Sequence, residues 1–396
     1  MSLRSRFTAF FAENSFAKNV TTLASGTALA QALPLLFAPV LTRLFSPEDF
    51  GTFSLFLAVT SIFSVWVTGV YEQAIVLPGK NKNALGIMIL SIALTLFFVS
   101  LLSGLLLLIQ GIILGKLGLS EIPNWCLFIP PAVIFMAVIQ ALTQWHNRQQ
   151  RFKQVSFSRV VQSAITIFSQ LGTGVLAIGA MGLIWGSMFG QIAILLMLMG
   201  YFVTRDLDSV EIPSIQQIYK LGVEYVNFPK YMLLGQLSNS LSSNLQVILL
   251  GALFGPAIAG QFALSQRVLA APLTLITGAV GEVFRVESSK VFREKGNFLN
   301  LFITLLKRLT VFALLPCLPI AIFGPIIFST IFGEEWKIAG EMASILAIMV
   351  FFQSLSTPLA HSLLIAGQQK LDMCWQFVRL FFSISSIWVG YEFYSS

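Results

Sequence analysis

Apolar runs long enough to cross a hydrocarbon core of about 30 Å recur along the whole chain. They fall near 20–42, 51–77, 84–114, 125–145, 157–179 and 183–203, and again near 226–254, 260–282, 305–330, 340–365 and 372–392. About eleven such spans define an all-α polytopic membrane protein. Composition agrees, because a chain with 56% hydrophobic residues, 10% charged residues and a mean hydropathy of +0.83 would aggregate in water. The first run begins near Val20 and many others follow it, so it reads as a first transmembrane helix rather than a cleaved signal peptide.

The runs are duplicated. Leu44-Phe45-Ser46-Pro47 through Gly51, Phe53 and Leu55 returns as Leu253-Phe254-Gly255-Pro256 through Gly260, Phe262 and Leu264, with every matched position at one constant offset. Each copy links two membrane-length runs, which points to two repeated six-helix-type bundles with a site between them, the construction of secondary transporters. The expected organisation is an N-terminal bundle over 1–205, a polar cytoplasmic linker over 206–222 and a C-terminal bundle over 223–396. A shorter echo, Gln149-Gln150-Arg151-Phe152 against Gln368-Gln369-Lys370-Leu371, maps Ser396 to a position before the sixth run. The twelfth helix is therefore expected to be missing, and a truncated reading frame is the favoured reason.

Basic residues sort to one side of these spans. With the N-terminus inside, Arg4, Arg6, Lys18, Lys80, Lys82, Arg148, Arg151, Lys153, Arg205, Lys220 and most later Lys and Arg fall in cytoplasmic loops, and only Arg43, Lys116 and Lys337 fall opposite. The net charge of +7 is then a topology signal, and no nucleic-acid partner is needed to explain it. Loops on the other side are short, the longest near Gly115 to Asn124, which excludes an external domain. No Walker A loop, GxSxG or HExxH occurs, and His146 and His361 lack a neighbouring acid or nucleophile, so no catalytic residues are expected and the chain does not read as an enzyme. His146 reads as an interfacial residue at a helix end. Cys126, Cys317 and Cys374 lack metal-ligand spacing and read as packing residues.

Charge in hydrocarbon is costly and survives only when paired, snorkelling or lining water, so ionisable residues within the spans are the candidate site. Arg267 lies about seven residues into the eighth run, roughly 10 Å of helix rise below its outer end, too deep for easy snorkelling. Glu72 precedes Pro78 near the inner end of the second run, and either shares Arg267's cavity or pairs with Arg159. Arg159 begins the fifth run, where it reads equally well as an interfacial anchor, and Arg43 ends the first beside Glu48 and Asp49 as a snorkelling residue. Lys230, Glu282, Arg285 and Arg379 are second-rank candidates. Gln31 in the first run, and Asn239 and Asn244 among the polar residues of the seventh, suggest that these two repeat-equivalent helices face a central cavity, although such residues also glue helices together. Pro34 and Pro39 in the first run, and Pro316 and Pro319 in the ninth, are expected to bend helices.

These residues carry a resemblance. Ser25-Gly26-Thr27-Ala28-Leu29-Ala30-Gln31 running to Arg43-Leu44-Phe45-Ser46-Pro47-Glu48-Asp49-Phe50-Gly51, followed by Tyr71-Glu72-Gln73-Ala74-Ile75-Val76-Leu77-Pro78, resembles the start of the Wzx-type O-antigen flippases, bacterial polysaccharide biosynthesis proteins. Gly260-Gln261-Phe262-Ala263-Leu264-Ser265-Gln266-Arg267 resembles their seventh-to-eighth span junction. The chain departs from that pattern in the missing twelfth helix and at Val70, where members often carry a basic residue. The resemblance implies a MATE-like fold of the multidrug/oligosaccharidyl-lipid/polysaccharide exporter superfamily, in the bacterial cell inner membrane. It implies transport of undecaprenyl-diphosphate-linked oligosaccharide from the cytoplasmic to the periplasmic leaflet by alternating access, for lipopolysaccharide or another surface polysaccharide. Its partners would be membrane lipid and the polymerase and chain-length proteins of the same pathway. No cofactor is implied, with Glu72 a possible site of H+ or Na+ coupling. A MATE-type drug exporter, a lipid II flippase and an integral-membrane polymerase or ligase are the competing readings.

Overall fold

The computed structural model describes residues 15–112, 124–207 and 210–359, together with positions 362, 378 and 385. It is all-helical. Twelve α-helices lie among the described residues: α1 (Ser15–Leu36), α2 (Ala38–Leu44), α3 (Pro47–Thr68), α4 (Asn81–Ile112), α5 (Ile129–Arg148), α6 (Phe152–Val175), α7 (Ala180–Arg205), α8 (Ile215–Glu224), α9 (Leu233–Phe254), α10 (Pro256–Lys295), α11 (Leu299–Phe332) and α12 (Lys337–Leu359). Eight spans among them are long and apolar enough to cross a membrane. Two more long helices, α6 and α10, occupy the places of the expected fifth and eighth spans; α6 carries Lys153, Arg159, Gln162 and Gln170, and α10 ends in a strongly charged segment from Glu282 to Lys295. The expected span near 372–392 lies outside the described residues.

Prolines act differently in the two halves. The first run breaks at Phe37, between Pro34 inside α1 and Pro39 in the first turn of α2, because a proline nitrogen cannot donate to the preceding turn. Pro316, Pro319 and Pro325 leave α11 one continuous helix over Leu299–Phe332.

The chain forms two compact units. The first comprises Met1–Pro34 and Phe56–Leu245, the second Leu35–Leu55 and Gln246–Ser396. In the first, α6 packs along α7, α5 against α4 and α7, and α8 against α4, around a core that includes Ile87, Leu142, Trp145, Val155, Ile194 and Leu198. In the second, α12 packs against both α10 and α11.

Both copies of the repeated segment lie in the second unit, and they meet. Each starts a helix with proline at its first position, where the missing N–H costs nothing, Pro47 for α3 and Pro256 for α10. Ser46 caps α3, its Oγ accepting from the Asp49 amide and donating at 2.8 Å to the Asp49 carboxylate. A Cβ at Gly51 would fall on the Pro256 carbonyl, and one at Gly260 on the Pro47 carbonyl. Gly51 and Gly260 are equivalent in the repeat, as are Pro47 and Pro256, so the contact is reciprocal. Only residues without side chains allow the two helix starts to touch this way. Trp336 closes the same region, fully buried, its ring 5.0 Å from that of Phe50 and its Nε1 donating to the Thr42 carbonyl at 3.1 Å.

Candidate functional site

The first unit holds a cavity of about 320 Å³ among its membrane-length helices. Glu72 and Arg159 both line it. The geometry begins where α3 ends: Gly69 and Val70 both adopt left-handed backbone, at φ 58° and 62°. That conformation is costly for a β-branched residue, on the order of 1–3 kcal/mol, and is held here by burial of Val70 and by its amide donating to Thr68 Oγ1 at 3.2 Å. The tight turn replaces the last part of the expected second span by a short 3-10 helix, Tyr71–Val76, and places Glu72 and Gln73 on the cavity wall.

Four more glutamines line the rest of the wall, alongside as many apolar side chains. α5 contributes Gln140, Thr143 and Gln144, one helical face by their spacing; α6 contributes Arg159 and Gln162; and Gln236 lies just inside α9. Val65, Val70, Ile139 and Ile194 supply the apolar part. Glutamine offers both donors and an acceptor, so such a wall can match hydroxyl-rich or charged groups without carrying charge itself. Glu72 is only 6% exposed, and its Oε2 has no hydrogen-bond partner. Arg159 and Glu72 share the cavity without forming an ion pair; instead Arg159 Nη1 donates to Thr27 Oγ1 at 2.9 Å. Together with Ser163 Oγ donating to the Ala30 carbonyl at 2.7 Å, this fastens α6 to α1 and fixes the guanidinium. A buried acid with an open acceptor beside a held cation is a polar constellation of the kind that membrane interiors retain for ligands or ions.

The other expected residues are dispersed. Arg267 is half-buried on α10 in the second unit, with no carboxylate in ion-pair range among the described residues, and its neighbour Gln266 donates to Gln246 at 3.0 Å. Arg43 is exposed at the end of α2. Gln31 and Asn239 are exposed, and Asn244 donates to the Ser240 carbonyl of its own helix at 2.8 Å. Lys230 is exposed in a π-helical turn before α9, its Nζ 5.1 Å from the Tyr231 ring centroid. The side chains of Glu282 and Arg285, and all of Arg379, lie outside the described residues.

The first unit holds a second polar cluster, which no local sequence pattern marks. Arg151 grips Asp206 with both terminal nitrogens, at 2.6 and 2.7 Å, and Trp145 Nε1 donates to the same carboxylate at 2.9 Å. Burial pushes the Asp206 carboxyl up, but the hydrogen bonds from Arg151 and Trp145 and the Arg151 charge outweigh it and hold the group below its ordinary 3.8. His146 lies beside this cluster at the end of α5 and is fully buried in the protein, its Nε2 donating to the Leu198 carbonyl at 3.0 Å.

Comparison with solved structures defines the class first. The fold is that of the MATE transporters. An inward-facing multidrug resistance MATE family transporter of the MOP superfamily superposes with a TM-score of 0.60 at 14% identity, covering 89% of this chain and 84% of that one. A MOP superfamily transporter from Pyrococcus furiosus, described as having a binding pocket of reversed polarity, gives 0.53 at 13% identity over 92% and 85%. This is a multi-pass membrane fold. The family model of polysaccharide biosynthesis proteins matches residues 40–341, and the chain belongs to that family. The teichuronic acid biosynthesis protein TuaB of Bacillus subtilis (strain 168) is 24% identical over 152 residues, which are 38% of this chain. That match spans 32% of the length of the curated relative.

Proposed function

We propose that this protein is a flippase that carries undecaprenyl-diphosphate-linked oligosaccharide repeat units, of O-antigen or another surface polysaccharide, from the cytoplasmic to the periplasmic leaflet of the bacterial inner membrane. The N-terminus lies in the cytoplasm, and the halves 1–205 and 223–396 alternate access about the 206–222 linker. The observation that carries this reading is a polar cavity containing Glu72 and Arg159 within a transporter fold, in a chain of the polysaccharide biosynthesis family.

The chemistry is consistent with that cargo. Amide side chains such as Gln140, Gln144 and Gln162 exchange hydrogen bonds with sugar hydroxyls, and guanidinium groups such as Arg159 and Arg267 offer paired donors to phosphate or carboxylate oxygens. The polyprenyl tail stays in the bilayer while the head group crosses. Glu72, with its open Oε2, takes up a proton or sodium ion as the coupling step.

Deletion of the gene tests the proposal. Loss of surface polysaccharide with accumulation of single lipid-linked repeat units, restored by this chain, is the expected result; unchanged polysaccharide would refute it. The MATE fold also favours a second reading, a drug or metabolite exporter. That reading requires altered drug sensitivity in the deletion strain and no accumulated lipid-linked sugar.

A further inference from the structure

The linker between the two halves contains the amphipathic helix α8, Ile215–Glu224. Its residues divide into three sectors at the roughly 100° per residue of an α-helix. Ile218, Leu221 and Gly222 form one flank, Ile215, Tyr219 and Val223 the next, and Gln216, Gln217, Lys220 and Glu224 the third.

The first flank is docked on the protein. Leu221 is buried, and a Cβ at Gly86 of α4 would come within 2.7 Å of it. Gly222 lies against Leu90, and its carbonyl accepts from Tyr71 Oη at 2.8 Å. A capping box between Ser214 and Gln217 fixes the helix start, and Lys82 pairs with Glu211 at 2.8 Å just before it. The helix therefore cannot roll, and its second flank points in a fixed direction.

That second flank is apolar and uncovered among the described residues. Ile215 is 86% exposed, Tyr219 73% and Val223 55%. It adjoins an exposed apolar stripe of a membrane-length helix: the face of α4 that bears Gly86 and Leu90 continues, at spacings of seven and four residues, into exposed Phe97 and Leu101. The chain leaves one membrane-length helix at Arg205 and begins the next at Phe228, so both ends of α8 are held close to the bilayer surface. Arg205, Lys220 and Lys230 are balanced by Asp206, Asp208, Glu211 and Glu224, so it is the apolar flank and not charge that suits lipid, and Tyr219 is a residue type favoured at that depth.

We propose that α8 is a membrane-surface helix, with Ile215, Tyr219 and Val223 inserted at the boundary between head groups and acyl chains of the bilayer. Its three flanks then face protein, lipid and water in turn. This does not depend on what the protein transports. Through the Tyr71–Gly222 hydrogen bond, a helix seated in the lipid surface is tied to the residue next to Glu72.

Spin labels on Ile215→Cys, Tyr219→Cys and Val223→Cys, and on Gln216→Cys, Lys220→Cys and Glu224→Cys, test this in the full chain. The protein is reconstituted in nanodiscs of phosphatidylethanolamine and phosphatidylglycerol, and the signal of unmodified protein, from its native cysteines, is subtracted. The ratio of oxygen to nickel-chelate accessibility is expected above one at 215, 219 and 223 and below one at 216, 220 and 224. A ratio below one at 215, 219 and 223 would overturn the proposal, and so would low accessibility to both reagents, which would mean that protein covers the flank.

Discussion

Asp206 and Glu72 are both buried carboxylates of the first unit, 5% and 6% exposed, yet they have opposite surroundings. Asp206 receives three hydrogen bonds, two from Arg151 and one from Trp145. Glu72 keeps one oxygen without a partner, and the nearby guanidinium of Arg159 donates to Thr27 instead. Burying an acid is costly in both places. At Asp206 the local hydrogen bonds offset the cost and join the α5–α6 turn to the end of α7. At Glu72 part of it is left open, which is what a group that must bind and release a ligand or ion requires. The comparison separates a polar cluster whose carboxylate is tied into the fold from one that keeps an acceptor open, as the proposed transport role requires.

The largest stability effect should come from the satisfied cluster. Arg151→Ala takes the guanidinium and its two hydrogen bonds away from the buried Asp206 carboxylate and should cost about 3–5 kcal/mol, seen as a marked fall in the thermal midpoint of the detergent-solubilised protein. An unchanged midpoint would remove the distinction between the two acids. Gly51→Ala and Gly260→Ala should each cost about 1–3 kcal/mol by forcing apart the helix starts, with similar losses because the contact is reciprocal. A loss at one position alone would break the symmetry of the junction.

Acid should act through Asp206 in a defined direction. Its carboxyl is held below 3.8 in the folded protein, so its contribution is fully present above that value and is lost as pH falls through the lower folded value. Thermal midpoints measured on acidification should show this loss in wild type and not in Asp206→Asn. The smallest stability effect belongs to Glu72→Gln, within about 1 kcal/mol, because no hydrogen bond to Oε2 is removed.

Much of this was legible in the sequence for physical reasons. Membrane-length apolar runs fixed where helices lie, and the repeated Pro and Gly marked two equivalent helix starts, although their mutual contact needed the structure. Glu72 and Arg159 stood out because ionised groups in hydrocarbon need an explanation. The glutamines around them did not, since Gln140, Gln144 and Gln162 carry no charge; their four- and three-residue spacings within apolar or half-apolar helices were the available signal. Arg151 read as one more basic topology marker and Asp206 as a linker residue, because a pair 55 positions apart leaves no local pattern. The i, i+4, i+8 spacing of Ile215, Tyr219 and Val223 was masked by the average polarity of the linker.

Complementation of the gene deletion by Glu72→Gln, with protein levels matched to wild type, tests the central claim most directly. Wild type should restore surface polysaccharide, whereas Glu72→Gln should fold, reach the membrane and leave lipid-linked repeat units accumulated. Full restoration of surface polysaccharide by Glu72→Gln would contradict the account.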